Sequence, residues 1–272
     1  MKKKFSIPLI IAVVILIGLL WARWRPAERF DADTPKQDVL RVVTWNVGYF
    51  AITKNKNMRD VDIEEVSQTL KTTAAQIVLL QELGKLNQAD KIAQQMGKDW
   101  KAYSVETGHG QQVVSILTPL TVIFQENVSC GGRMSKGISL TAPNGKQVYI
   151  LGVHSPHPAR GITENEESIS SAITHTRLRD EKIRIVGGDL NYNFKVDAEG
   201  ELYTDIMKDF GDGTISIGKT YYAHTRIDHF FHYPKGLDVI EEESGMLDLD
   251  FRLAKVPGFR DHRPIVVSYK FK

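Results

Sequence analysis

The sequence predicts a domain of the α/β or α+β class, a two-sheet core with its helices on the outside. Two observations predict it. Apolar runs of strand character dominate from Val39 onward, and helical patterns are interspersed among them. The chain has 272 residues, of which 42% are hydrophobic and 25% charged, so disordered and collagenous classes are excluded and a sizeable core is possible. No internal repeat or low-complexity tract interrupts it.

The elements come in this order. Phe5 to Ala22 carries no charge and follows Met1-Lys2-Lys3-Lys4. As a helix it spans about 27 Å, enough for a bilayer core. A cleaved signal peptide would be shorter and end in a small-x-small site. Instead Trp21-Ala22-Arg23-Trp24-Arg25 follows, with tryptophans suited to the membrane interface and arginines to the headgroups. Residues 1–25 therefore read as a transmembrane anchor in the cytoplasmic membrane. Its short leader is easier to leave inside than to export, which places the following domain outside the cytoplasm. Residues 26–38 are polar with two prolines, Pro26 and Pro35, and read as a linker.

From there the pattern predicts strands over Val39–Val47, Ile77–Leu80, Val113–Leu117, Val122–Phe124, Gln147–Val153, Ile183–Val186, Ile227–Tyr233 and Pro264–Phe271. Helices are expected over Val61–Gln76, Gln88–Met96 and Glu166–Arg179. The first begins near Asp60 or Asp62 and sets Ile63, Val66, Leu70 and Ala74 on one face. Residues 39–272 thus read as one domain.

Charge is unevenly spread. Residues 1–30 hold six basic side chains and one acid, which leaves 29 basic and 32 acidic residues for the rest of the chain. Bulk charge therefore gives no support to non-specific nucleic-acid binding, although a local basic groove remains open. One cysteine, Cys130, builds neither a disulfide nor a cysteine-rich zinc site, and reads as a small buried hydrophobe.

Polar residues recur at the ends of the predicted strands. Asn46 follows Thr44-Trp45, Glu82 follows Leu80-Gln81, and His154 follows Gly152-Val153. Asp189-Leu190-Asn191 follows Gly187-Gly188, Asp228 sits in Arg226-Ile227-Asp228-His229-Phe230, and Asp261-His262 opens the last strand. Taken singly, each also reads as turn or loop chemistry. Taken together, strand ends are rigid platforms whose side chains converge on one cleft.

These blocks, in this order, resemble the endonuclease/exonuclease/phosphatase superfamily. The matching pieces are Thr44-Trp45-Asn46-Val47, Leu80-Gln81-Glu82, Val153-His154-Ser155, Gly188-Asp189-Leu190-Asn191, Arg226-Ile227-Asp228-His229-Phe230 and Asp261-His262-Arg263-Pro264. The resemblance implies a DNase I-like fold, a two-sheet β-sandwich flanked by outer helices, over residues 39–272. It also implies hydrolysis of phosphate esters with Mg²⁺, or Mn²⁺ as a substitute.

Under that resemblance Glu82 is the primary metal ligand, supported by Asn46 and Asp261. A hard dication held by such oxygens neutralises phosphate charge and stabilises the leaving oxygen. His262 is the base that activates water, oriented by Asp228. Asp189 and Asn191 position the nucleophile, and either Asp189 or His262 takes its proton. His154 donates to a non-bridging oxygen. The chain departs from the family pattern at Gln111–Pro119, which lacks the usual Asn and Arg, and at Arg260, where Ser is common.

The expected substrate is DNA, cleaved as a phosphodiester. Phosphate contacts are available from His154–Gly161 and from a loop over Gly131–Gly137, and Tyr221, Tyr222 and His224 are placed to line or stack in a pocket. The alternative is a phosphodiesterase or phosphatase acting on phospholipid or polyprenyl-phosphate headgroups, with the anchor raising local substrate concentration. A non-catalytic binding module is the third reading, and the retained acids and histidines oppose it.

Overall fold

The computed structural model describes residues 33–48, 60–108, 112–194, 200–221, 225–247 and 262–271. The expected membrane anchor over residues 1–25 lies outside them. Among the described residues no helix is long and apolar enough to cross a membrane.

Two mixed sheets face each other. The first joins β1 (Val39–Asn46), β2 (Ile77–Leu83), β3 (Lys101–Glu106), β4 (Val113–Thr118), β11 (Asp238–Val239), β12 (Gly245–Met246) and β13 (Ile265–Lys270). Its order is β11-β13-β1-β2-β4-β3, with β12 also on β13. The second joins β5 (Val122–Cys130), β6 (Arg133–Thr141), β7 (Gln147–His154), β8 (Ile183–Asp189), β9 (Gly211–Asp212) and β10 (Asp228–Tyr233). Its order is β5-β6-β7-β8-β10-β9.

Because side chains alternate along a strand, each sheet buries both faces. Leu40, Val42, Ile77, Leu79 and Ile116 meet Ile138, Val148, Ile150, Ile185 and Phe230 between the sheets. Val43, Trp45, Val78 and Leu80 point the other way, against Ile63, Val66 and Leu70 of α1 (Asp60–Lys71) and Ile92 of α2 (Leu86–Met96). On the second sheet Leu151, Val153, Val186 and Phe231 cover Ile169 and Ile173 of α3 (Ile162–Arg177) and Ile206 of α4 (Glu201–Ile206). This is the expected sandwich with outer helices.

Several boundaries differ from expectation. Helix α1 stops at Lys71, short of Gln76. Thr72 and Thr73 turn their hydroxyls back onto the Thr69 and Leu70 carbonyls, and Ala74 adopts φ 47°, so the chain leaves the helix there. Strand β2 runs on to Leu83 and takes Glu82 into the sheet. The polar β3 was not expected, since its apolar alternation is weak. The Gly131–Gly137 stretch is not a loop. Gly131 and Gly132, at φ 53° and 82°, make a tight hairpin turn, and Arg133 already starts β6.

Topology places the site. β1 and β2 are parallel, with Asn46 beside Gln81. β7 and β8 are parallel, with His154 beside Asp189. Parallel neighbours end at the same edge, so these four strand ends share one rim. β10 runs antiparallel to β8 and starts there, with Asp228 opposite Asp189. β13 runs antiparallel to β1, which sets the residues just before Ile265 at the same rim.

Candidate active site

The side chains of Asn46, Glu82, His154, Asp189, Asn191, Asp228 and His262 form one connected cluster at this rim. Its hub is Asp189 Oδ2. It accepts from Asn46 Nδ2 at 2.9 Å and from Asn191 Nδ2 at 3.2 Å. His154 Nε2 stands 3.6 Å from it and His262 Nε2 3.7 Å. His154 Nε2 is also 3.7 Å from Glu82 Oε1. Both histidines therefore present the same ring nitrogen to one small polar space. Asp261 and Arg260 lie outside the described residues, as do Tyr222 and His224.

The backbone is bent to deliver these groups. Glu82 has φ 60° and Asn191 φ 51°, left-handed conformations that are uncommon for side-chain-bearing residues and tend to gather at functional sites. Around Glu82 the β2–β4 register shifts, so the strand bulges and turns the carboxylate to the rim. At Gly188, φ 142°, a Cβ would collide with the Val153 carbonyl. Only glycine lets β7 and β8 approach closely enough to pair His154 with Asp189.

His262 is held from behind. Its Nδ1 lies 2.9 Å from Asp228 Oδ2 and 3.1 Å from Oδ1. Thr220 fixes that carboxylate, its hydroxyl donating to Asp228 Oδ2 at 2.7 Å and accepting from the Asp228 and Ile227 amides. Tyr221 pairs with His262 through a β-bridge, their rings 5.0 Å apart. Sequence reasoning missed Thr220, and nothing in Gly218-Lys219-Thr220-Tyr221 signals its role. Asn191 is anchored by donating to the Ser155 carbonyl at 3.0 Å, and its own amide N–H donates to Asp189 Oδ1.

Electrostatics differ across the cluster. Burial, aided by the neighbouring Asp228 charge, pushes the Asp189 carboxyl up to about 7, against the pull of His262 and the Asn46 and Asn191 donors. Burial also drives His154 well below its ordinary range, and the positive Arg133 adds to the effect. His154 is thus neutral near pH 7, and its carboxylate neighbours favour the tautomer with hydrogen on Nε2. Its Nδ1 is buried without a partner. Cys130 is buried, its thiol pushed up to about 11, which leaves it without evident chemistry.

A divalent cation fits the donor set. Ligating atoms of Asp189, Asp228 and His262 lie within 4.8 Å of one another. Asp228 and His262 Nδ1 are committed to each other, so that trio is an orienting pair beside a carboxylate rather than a closed cage. The hard oxygens left for a cation are those of Glu82, Asp189 and the Asn46 amide, whose Oδ1 accepts from Gly48 N. Burial and the Asp228 charge disfavour the Asp189 carboxylate, and a dication beside it would offset both.

No protein-family model matches the sequence, and no curated relative does. Solved structures do. An endonuclease/exonuclease/phosphatase from Beutenbergia cavernae superposes with TM-score 0.65 at 18% identity, covering 86% of this chain and 72% of its own. This is the endonuclease/exonuclease/phosphatase fold. Truncated TDP2 of Caenorhabditis elegans shares it at TM-score 0.65 and 16% identity, covering 88% of this chain and 100% of its own. A mannosyl-6-phosphatase of Bacteroides thetaiotaomicron shares it at TM-score 0.62 and 14% identity, covering 85% and 100%. Within the endonuclease/exonuclease/phosphatase fold of this chain, the polar cluster sits where the parallel strand pairs of both sheets end.

Proposed function

We propose that residues 39–272 form a divalent-cation-dependent phosphoester hydrolase. One observation carries this reading: His262, oriented through Nδ1 by buried Asp228, aims Nε2 at the same small space as His154 Nε2, Asp189 and Glu82.

Glu82, with Asn46 and Asp261, would hold Mg²⁺ or Mn²⁺, and Asp189 borders that position. When bound, the dication supplies neutralisation of phosphoryl and leaving-oxygen charge. The chain's own residues do the rest. Asp189 and Asn191 orient a water, and His262 Nε2 takes its proton as the new oxygen–phosphorus bond forms and the bond to the leaving oxygen breaks; the alcohol leaves and the imidazolium returns its proton to solvent. Asp228 stabilises the resulting imidazolium. Neutral His154 donates from Nε2 to a non-bridging oxygen, a hydrogen bond that strengthens as charge builds there.

DNA is the substrate class of this reading, cut at its phosphodiester bonds. The apolar segment Phe5–Ala22 favours a second reading, hydrolysis of phospholipid or polyprenyl-phosphate headgroups. In both, residues 1–25 anchor the enzyme in the cytoplasmic membrane and 26–38 link it to a domain outside the cytoplasm. The test uses the full chain in mild detergent, with plasmid DNA, bis(p-nitrophenyl) phosphate, p-nitrophenyl phosphate and phospholipid vesicles, in Mg²⁺ or in chelator. Cleavage of DNA and the diester that stops on chelation supports the nuclease reading. Cleavage of lipid alone replaces it with the second. Protection of the domain from added protease in intact cells contradicts the outward placement.

A further inference from the structure

Helix α3 sends one polar side chain to the catalytic rim from outside it. Asn165, in its first turn, is fully buried. Its Nδ2 donates to the Pro156 carbonyl at 2.7 Å and to the Leu190 carbonyl at 2.8 Å. An amide nitrogen carries two hydrogens, so both are spent. Turning the amide over would set Oδ1 against two carbonyl oxygens, which fixes its orientation. Oδ1 is then left buried without a partner.

The two carbonyls belong to different rim segments. Pro156 follows His154, and Leu190 lies between Asp189 and Asn191. Asn165 thus ties together the segments that carry the phosphoryl donor and the water-orienting pair. Next to it the Ser155 amide donates to the Asp189 carbonyl at 3.0 Å, and Ser168 Oγ of α3 donates to Ser155 Oγ at 3.3 Å. From behind, Arg133 Nη1 reaches the His154 carbonyl at 3.4 Å. On the other flank His229 Nε2 joins the Tyr192 carbonyl, at 3.2 Å, to the Arg226 carbonyl, at 2.9 Å. The Asp228 side of the site is therefore held without Asn165.

A buried amide with an unserved oxygen is a costly way to gain stability alone. What it provides is one rigid group that serves two backbone carbonyls at once. We propose that Asn165 is a positioning residue that sets the spacing between His154 and the Asp189–Asn191 pair. Its effect on catalysis rests on the phosphoester-hydrolase reading, whereas the brace itself does not. In that mechanism His154 fixes a non-bridging oxygen while Asp189 and Asn191 aim the water, and a misplacement of about 1 Å costs about 10² in rate.

The test uses the full chain in mild detergent. Asn165→Leu keeps the size and removes both donors. Asn165→Ser keeps one donor and leaves room for a water, and it decides the matter where the leucine variant does not fold. Well below the melting temperature, Asn165→Leu lowers kcat on bis(p-nitrophenyl) phosphate by about 10², and Asn165→Ser by less. KM stays within about twofold, and the rise in melting temperature given by Mn²⁺ is unchanged. In chelator, amide hydrogen exchange quickens about tenfold or more over residues 154–160 and 189–192 in the leucine variant, less in the serine variant, and stays native over residues 226–230 in both. A lower melting temperature with native kcat overturns the proposal and leaves Asn165 a stability residue. Exchange that quickens equally over residues 226–230 overturns it as well, because the loss is then general. A native chain that hydrolyses nothing refutes the hydrolase reading, and quickened exchange confined to the two segments still keeps the brace.

Discussion

His262 Nδ1 lies 2.9 Å from Asp228 Oδ2, while Nε2 of the same ring stands 3.7 Å from Asp189 Oδ2. One nitrogen is fixed by a carboxylate buried beneath it and the other is aimed at the reaction space. Asp228→Asn removes the charge and offers an amide N–H where the ring nitrogen needs an acceptor. In the proposed mechanism kcat on bis(p-nitrophenyl) phosphate falls by about 10²–10⁴. KM changes little, and circular dichroism shows the fold retained. A variant with native kcat contradicts the dyad.

Thr220 tests the support of that carboxylate. Its hydroxyl serves Asp228 Oδ2 and the Ile227 and Asp228 amides at once, in a buried position. Thr220→Val leaves those groups unsatisfied, which costs about 1–3 kcal/mol in urea unfolding. It also lowers kcat, by less than Asp228→Asn does. Unaltered stability would show that the hydroxyl is not a clamp.

Asp189 couples stability to pH. Its folded carboxyl, near 7, is raised above the unfolded value of 3.8. Between about pH 4 and 7 the native state keeps a proton that the unfolded state has lost, so stability falls as pH rises through that window and levels off above it. In chelator, Asp189→Asn flattens this slope and is more stable than the native chain at pH 8. Parallel pH profiles for the two proteins contradict the assignment.

Glu82 separates side-chain from backbone effects. Glu82→Gln abolishes the rise in melting temperature that Mn²⁺ gives the native chain, because the ligand charge is gone. Glu82→Gly loses it too, yet remains more stable than Glu82→Ala by about 1 kcal/mol, since φ 60° suits glycine. A cation shift that survives in both Gln and Gly variants moves the cation away from Glu82.

Much of this fold is legible in the sequence because its central strands are apolar on both faces. Val39, Ile77, Gln147 and Ile183 open strands at their expected places, and the polar residue at each strand's far end falls on the common rim. Strand β3 is not legible, since its edge position and the Ser104–Ser115 pair replace apolar alternation, and β6 is not, since it opens on a polar run directly after two glycines. Arg133 is hidden for the same reason. Its sequence context, two glycines and a polar run, reads equally as a loop, and only the hairpin carries it behind His154. Thr220 acts through three hydrogen bonds to Ile227 and Asp228, seven and eight residues on, a relation set by neither helix nor strand periodicity.

The central claim is that His262 and a bound dication act together on a phosphate ester. Turnover of bis(p-nitrophenyl) phosphate by the full chain, in Mg²⁺, in chelator, and with His262→Ala in Mg²⁺, tests it most directly. The account predicts turnover in the first case, loss in the second, and a fall of about 10²–10⁴ in the third. Undiminished turnover in chelator, or by the alanine variant, would contradict it.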